Sequence, residues 1–206
     1  MAREIEAKYR VGSLAPLRRA LGRLGGRWLF SAVQTDRYLD TPGRDLLAGD
    51  RGVRLRTLSR VRCGEGACDR RALLTYKGPR SAGAVKSRAE HQMYVDDPAV
   101  LVQLLGALGL SSTLTIQKRR SSFRLGRCLV ELDELPLIGR FVEIEGPSAG
   151  AVRAVAKKLG LAGEPVQSHY VHLLLEACRR AGQKCDEITF GRCGARGPRK
   201  SASRRK

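Results

Sequence analysis

Along this chain the spacing of apolar positions switches repeatedly between two periods. In eight segments, roughly 3–11, 28–39, 52–58, 72–78, 87–95, 114–124, 127–134 and 140–146, apolar and polar residues alternate, with Gly, Pro, Asp or Ser at the boundaries. Successive residues of a strand point to opposite faces, so this period predicts strands with one buried side. Four other segments repeat at helical spacing. Ser13 precedes a stripe of Leu14, Leu17, Leu21 and Leu24 closed by Gly25, and Asp97-Pro98 precedes Leu101, Leu104, Leu105 and Leu108 before Gly109. Ser148 opens a third helix, with Val152, Val155, Ala156 and Leu159 ahead of Gly160, and a fourth runs from about Ser168 to Ala181. Each of the first three pairs an N-terminal capping residue with a glycine just past its end.

Eight strands with mostly short connections predict a meandering antiparallel sheet, and eight is a number that closes into a barrel. The expected class is α+β: an eight-stranded antiparallel β-barrel, or tunnel, with a polar lumen and helices packed outside. No 20–50-residue self-similarity suggests a solenoid.

The polar faces carry more than solubility. Residues two apart share a face, which groups Glu4, Glu6 and Lys8; Arg54 and Arg56; Thr75 and Lys77; Arg88, Glu90 and Gln92; Lys118 and Arg120; Glu131 and Asp133; and Glu143 and Glu145. The opposite faces hold Ile5, Ala7 and Tyr9, Val53 and Leu55, Leu74 and Tyr76, Ile116, Leu132, and Val142 and Ile144. One such strand is the ordinary wet face of an antiparallel sheet. Across the set the charges come in like-signed pairs, which repel unless an anion joins the arginines and a cation joins the carboxylates. Hard divalent cations take oxygen ligands, and Arg forks and Lys point charges suit phosphate oxygens. A lumen of this kind fits a metal-bound polyphosphate.

Composition agrees. The 206 residues carry 39 Lys+Arg against 20 Asp+Glu, a formal charge of +19, which favours anionic partners. Seven of these cations, Arg192, Arg196, Arg199, Lys200, Arg204, Arg205 and Lys206, fall in the last fifteen residues, which contain no acid; without them residues 1–191 still carry +12. The expected organisation is a domain over 1–182 and a basic, disordered tail over 183–206, with a weak nucleic-acid contact as the tail's functional reading. No apolar run is long enough to span a bilayer and no signal peptide is evident, so a cytoplasmic protein without membrane contact is expected. Reduced thiols are expected of the six cysteines, including the Cys63/Cys68 pair, whose C-x4-C spacing lacks two further zinc ligands. His169 and His172 are three apart but have no third ligand, so they read as helix-surface or packing residues. No Gly-rich phosphate loop of the P-loop or dinucleotide type is present.

In order and spacing these motifs resemble the CYTH superfamily, the triphosphate tunnel metalloenzymes, and within it the class IV adenylate cyclase type. The resemblance rests on Glu4-Ile5-Glu6-Ala7-Lys8, Gln34-Thr35-Asp36-Arg37-Tyr38, Arg54-Leu55-Arg56, Leu74-Thr75-Tyr76-Lys77-Gly78-Pro79, Arg88-Ala89-Glu90, Lys118-Arg119-Arg120, Glu131-Leu132-Asp133-Glu134 and Phe141-Val142-Glu143-Ile144-Glu145. It covers about residues 3–175 and implies an antiparallel tunnel, a triphosphate substrate and dependence on Mg2+ or Mn2+. Carried over, it makes Glu4, Glu6, Glu143 and Glu145 metal ligands, with Glu90 and Asp133 as contributors. It makes Lys8, Arg54, Arg56, Lys77, Arg88, Lys118 and Arg120 the phosphate contacts, and Lys8, Glu6 and Glu145 the groups closest to the chemistry. One departure is Gln92, where many members carry a carboxylate, so a second metal would bind more weakly.

Three functions follow as expectations. The first is cyclisation of ATP to cyclic AMP and pyrophosphate. The second is hydrolysis of tripolyphosphate, thiamine triphosphate or a nucleoside triphosphate on the same cradle. The third is a nonenzymatic polyphosphate or nucleic-acid binding module. A homodimer is compatible with all three.

Overall fold

The computed structural model describes residues 5–64, 72–80, 88–182 and 184–193, with backbone alone at positions 80 and 88. The elements run β1 (Ile5–Val11), α1 (Ala15–Arg23), β2 (Arg27–Asp40), α2 (Asp45–Ala48), β3 (Gly52–Cys63), β4 (Ala72–Arg80), β5 (Arg88–Tyr94), α3 (Pro98–Ala107), β6 (Ser111–Leu125), β7 (Cys128–Leu135), β8 (Gly139–Gly146), α4 (Ala149–Lys158), α5 (Tyr170–Arg180) and β9 (Glu187–Ile188). All eight expected strands form, in the order β1-β8-β7-β6-β2-β3-β4-β5 with antiparallel neighbours. Among the described residues no ladder joins β1 to β5, so the sheet curls without strict closure.

Local chemistry sets the helix ends. The Asp97 carboxylate accepts from the N–H groups of Ala99 and Val100, Pro98 takes the first helical position, and Gly109 leaves α3 at φ 84°. Ser148 accepts from the Ala151 N–H to start α4. Asp40 does the same for the short α2, accepting from Thr41, Leu46 and Leu47.

Alternation along the strands divides the packing between two sides. Tyr9, Phe123, Val130, Val142 and Ile144 form the convex side of β1, β6, β7 and β8 and bury Leu17 and Leu21 of α1 and Val152 and Val155 of α4. Leu39, Leu55 and Ala72 continue that side on β2, β3 and β4, where α3 covers them with Leu101 and Leu105. The expected α3 stripe is only half used, since Leu104 and Leu108 remain 56% and 70% exposed.

The concave side is not polar throughout, and this corrects two expectations. Ile116, grouped with the outward apolar positions, pairs with Asp36 and lies two residues from Lys118, on the concave side. Leu114, Leu135 and Phe141 join it there, and these four are covered by Leu174 and Cys178 of α5 and by Ile188 of β9. Helices therefore do not all pack outside: α5 closes the apolar end of the concavity, because an uncovered apolar patch there would face water.

β9 pairs in parallel with β6 at Thr115 and Ile116, and Ile188 is fully buried. The packed chain therefore runs past the expected boundary at 182, at least to Cys193, and Arg192 forms an ion pair with Glu187 at 2.7 Å instead of lying in a loose tail. Residues 194–206 lie outside the described residues. Cys63 is disulfide-bonded, contrary to the expectation of reduced thiols throughout, while Cys128, Cys178, Cys185 and Cys193 form no disulfide. Among the described residues no helix is long and apolar enough to cross a membrane.

Leu174→Ala tests the docking of α5. Leu174 is fully buried, and truncation is expected to remove about 2–5 kcal/mol of stability, read as a lowered urea midpoint with an unchanged slope.

Candidate functional site

On the polar end of the concavity, β1, β8, β7 and β6 lie side by side with Lys8 opposite Glu143, Glu143 opposite Glu131, and Asp133 opposite Arg120. Cross-strand neighbours of one face stand close enough for their side chains to meet, and here opposite charges meet. The Arg120 guanidinium donates from Nε to Asp133 at 2.7 Å and from Nη2 to Asp133 at 2.5 Å and to Glu143 at 2.6 Å, while Nη1 donates to Glu131. Lys118 Nζ reaches Asp133 at 3.4 Å, and Ser122 donates to the other oxygen of Glu131 at 3.1 Å.

Asp133 is fully buried. Burial pushes its carboxyl pKa up, but Arg120 and Lys118 outweigh burial and hold it down at about 2. The Arg120 pKa is raised well above its usual value: burial lowers it, and Asp133, Glu131 and Glu143 prevail. Lys118 moves the other way. Burial lowers its pKa, the positive charge of Arg120 adds to the effect, and Asp133 compensates only in part.

Lys8 lines the same space. Its Nζ lies 3.4 Å from Glu143, donates to the Ser168 carbonyl at 3.2 Å and sits 4.1 Å from the centroid of the Tyr170 ring. His169 occupies the N-cap position of α5, and Ser168, just before it, contributes its backbone carbonyl to Lys8.

Across the concavity, Arg56 makes a two-pronged bond to Asp36 at 2.6 and 2.8 Å, and Arg54 approaches the same carboxylate at 4.0 Å. Burial raises the Asp36 pKa, but Arg56 first and then Arg54 and Lys118 bring it below the usual carboxylate range. Near the β5 edge, Lys77 pairs with Glu90 at 3.1 Å, and Gln92 donates to Glu90 at 2.6 Å. His91 points away, stacked on Tyr76. Glu6 and Glu145 are register partners on β1 and β8 and continue the concave face beyond Lys8 and Glu143. Glu4 and the side chain of Arg88 lie outside the described residues.

The structure thus brings Lys8, Lys118, Arg120, Asp133 and Glu143 into one network, and sets Arg54 with Arg56, Lys77 with Glu90, and Glu6 with Glu145 around it. Sequence reasoning gave no role to Asp36, Gln34, Glu131 or Tyr170. Asp36 and Gln34 stood two apart on a predicted strand, and Glu131 was grouped with Asp133, so their shared face was legible; Tyr170 arrives from a helix, and its only sequence signal was a Ser168-x-Tyr170 match to the cyclase-type pattern, which assigns it no place on that face.

Four buried side-chain atoms on or against this face have no hydrogen-bond partner among the described residues: Gln34 Oε1, Arg54 Nε, Thr75 Oγ1 and the Tyr170 hydroxyl. Each unmet polar group costs about 1–3 kcal/mol. Their gathering on one face concentrates unmet hydrogen-bonding capacity there. Among the described residues, no three Asp, Glu, His or Cys side chains converge as a metal cluster, because most of these carboxylates are turned to cations. The donor set is nonetheless all oxygen, with Glu6 opposite Glu145 and Glu143 two residues along, which is the chemistry of a site for a hard divalent cation rather than a softer ion.

The sequence pattern of the CYTH domain family matches residues 2–163 of this chain. Adenylate cyclase CyaB of Aeromonas hydrophila is 30% identical over 142 residues, covering 68% of this chain and 67% of that protein. The fold is similar to that of a protein from Vibrio parahaemolyticus named as a candidate adenylate cyclase, with a TM-score of 0.68 at 21% identity, covering 84% of this chain and 97% of the other. It is also similar to that of a Hippeastrum protein described as a candidate adenylyl cyclase with a dominant triphosphatase activity, with a TM-score of 0.59 at 18% identity over 88% and 97% of the two chains.

Replacing Asp133 by Asn leaves Arg120 and Lys118 buried with one partner fewer, and is expected to remove about 3–5 kcal/mol of stability at pH 7 by chemical denaturation. The carboxylate's folded pKa of about 2 lies below its unfolded value. Its contribution is therefore complete above about pH 4 and is lost as pH falls from about 4 to about 2. The difference between wild type and Asp133→Asn should shrink over that window.

Proposed function

The chain belongs to the CYTH domain family, and from that premise we propose that it is a metal-dependent enzyme acting on a triphosphate on the concave face of its sheet, with conversion of ATP to cyclic AMP and pyrophosphate as its leading reaction. The observation that carries this is the collection of buried, unpartnered polar atoms around Arg54, Thr75, Gln34 and Tyr170 beside a dense set of cations. Charges of both signs interleave there, so a polyanion meets arginines and lysines already paired to carboxylates. Entry of phosphate oxygens gives Arg120, Arg56, Lys118, Lys8 and Lys77 new acceptors and frees carboxylate oxygens from them.

In this reading Lys8, Arg54, Arg56, Lys77, Arg88, Lys118 and Arg120 hold the phosphate chain, and Arg54 Nε supplies a donor with no competing acceptor among the described residues. Glu6, Glu143 and Glu145, with Glu4 and Glu90, hold Mg2+ or Mn2+, which when bound neutralises charge on phosphate oxygens and so supplies what the near-balanced face lacks. Asp133 anchors Arg120 and Lys118, since both of its oxygens are engaged by them. The residues act by positioning and by stabilising charge on the leaving group while the ribose 3′-oxygen attacks the α-phosphorus and pyrophosphate departs.

The activity described for the Hippeastrum protein supports a second reading, in which water attacks the terminal phosphorus on the same cradle and orthophosphate is released. Fold is a poor guide to which nucleophile is used. Purified protein incubated with Mn2+ and either ATP, tripolyphosphate or thiamine triphosphate is expected to yield cyclic AMP and pyrophosphate from ATP. Orthophosphate without cyclic AMP replaces the first reading by the second. Glu145→Gln is expected to lower kcat by about 100-fold or more, and EDTA to abolish turnover until Mn2+ is restored. Turnover that survives both changes would exclude metal-dependent catalysis at this face.

A further inference from the structure

A cavity of about 440 Å³ lies on the convex side of the sheet, between α1 and strands β2, β3, β6 and β7, and Glu134, the partner of Arg119, is also on its lining. Small-molecule sites commonly have this size. Two serines form its floor. The Ser31 and Ser121 hydroxyls are 2.7 Å apart; Ser31 accepts from the Trp28 indole N–H at 3.1 Å, and Ser121 accepts from the Arg18 guanidinium at 3.1 Å. The two hydroxyls carry two protons and their mutual bond uses one, so the other is a donor with no second acceptor bonded to it among the described residues.

The rim is cationic. Arg60, Arg62 and Arg119 line the cavity with Arg18. Arg119 is bound to Glu134 at 3.0 Å, whereas neither Arg60 nor Arg62 pairs with a carboxylate among the described residues. Their position is not what strand parity predicts. Arg60 and Arg62 continue the spacing of Arg54 and Arg56, which would turn them into the concavity. Between Ser59 and Arg62, however, β3 advances three residues while β2 advances two, from Val33 to Ser31. This bulge, with Arg60 in the left-handed region at φ 49°, reverses the parity of the strand and sets Arg62 opposite Ser31. A left-handed backbone at a residue other than glycine costs about 1–2 kcal/mol, and here it takes two arginines away from the concave face and adds them to a second cationic space.

We propose that this cavity is a second anion site, which takes a small phosphorylated molecule. The phosphate dianion is held by Arg18, Arg60, Arg62 and the free serine proton, and the carbon skeleton lies against Leu14 and Trp28. Like charges at the rim repel one another until such an anion enters. The site is separate from the triphosphate cradle, and its existence does not depend on which reaction that cradle performs.

Trp28 is the chain's single tryptophan, so its fluorescence reports this cavity directly. Titration of the full chain with inorganic phosphate and with ribose 5-phosphate is expected to give a saturable change in emission. Equal affinity for the two assigns recognition to the phosphate alone, and tighter binding of the sugar phosphate adds the apolar wall; both support the site. The R60A/R62A double variant is expected to weaken binding at least 10-fold, equivalent to about 1.4 kcal/mol, with turnover of the triphosphate substrate unchanged. Arg18→Gln should weaken it as well, and R54A/R56A should leave the titration as in wild type. Arg18, Arg60 and Arg62 are exposed, so melting temperatures of R60A/R62A and Arg18→Gln should stay close to wild type. The proposal is overturned by the absence of a saturable Trp28 signal, by an R60A/R62A titration equal to wild type, or by loss of the signal in R54A/R56A at an unchanged melting temperature.

Discussion

The Arg120–Asp133 pair is the constraint on which the concave face depends. Two charges in a fully buried position are tolerated only if every donor and acceptor is met, and Arg120 meets its own with three carboxylates drawn from β7 and β8. That requirement fixes the register of three strands at once, since a slip of one residue would turn Asp133 or Glu143 to the convex side and leave the guanidinium buried with no partner. Lys118 and Lys8 are then held by the same carboxylates. Stability and the proposed ligand chemistry thus draw on one group of side chains, and the network holds its cations in position by itself.

Around this network the protein manages a sheet with two different sides. Apart from the cavity beside α1, the convex side is apolar and takes α1, α3 and α4, as alternation requires. The concave side is divided: one end is charged, while Leu114, Ile116, Leu135 and Phe141 at the other are covered by α5 and β9. Tyr170 joins the two ends. Its ring packs edge-on against Phe141 at 5.2 Å and presents its face to Lys8. Its buried hydroxyl stays protonated, because burial and then the carboxylates of Asp133 and Glu143 raise its pKa far above the ordinary tyrosine value. The helix that seals the apolar end therefore also supplies part of the polar wall.

The β3 bulge distributes arginines between the two sides. Without it, four arginines at alternate positions would crowd one half of the concavity beside Lys77. With it, Arg54 and Arg56 share Asp36 within, and Arg60 and Arg62 stand without, over the Ser31–Ser121 pair. A one-residue insertion in a ladder is enough to make two cationic surfaces from one charge-rich strand.

Much of this was legible in the chain itself. Strand alternation is a local consequence of backbone sterics, so the eight strands, the caps at Asp97 and Ser148, and the common face of Glu6 with Lys8, Arg54 with Arg56, Lys118 with Arg120 and Glu143 with Glu145 follow from spacing alone. Other features were decided only when distant segments came together. They include which carboxylate holds which cation, the concave placement of Ile116 and α5, the docking of residues 184–193, and the reversal of parity at Arg60. Each depends on register and coverage between elements far apart in sequence. There the energy lies in burying an apolar surface or completing a buried ion pair, and no single segment contains both partners.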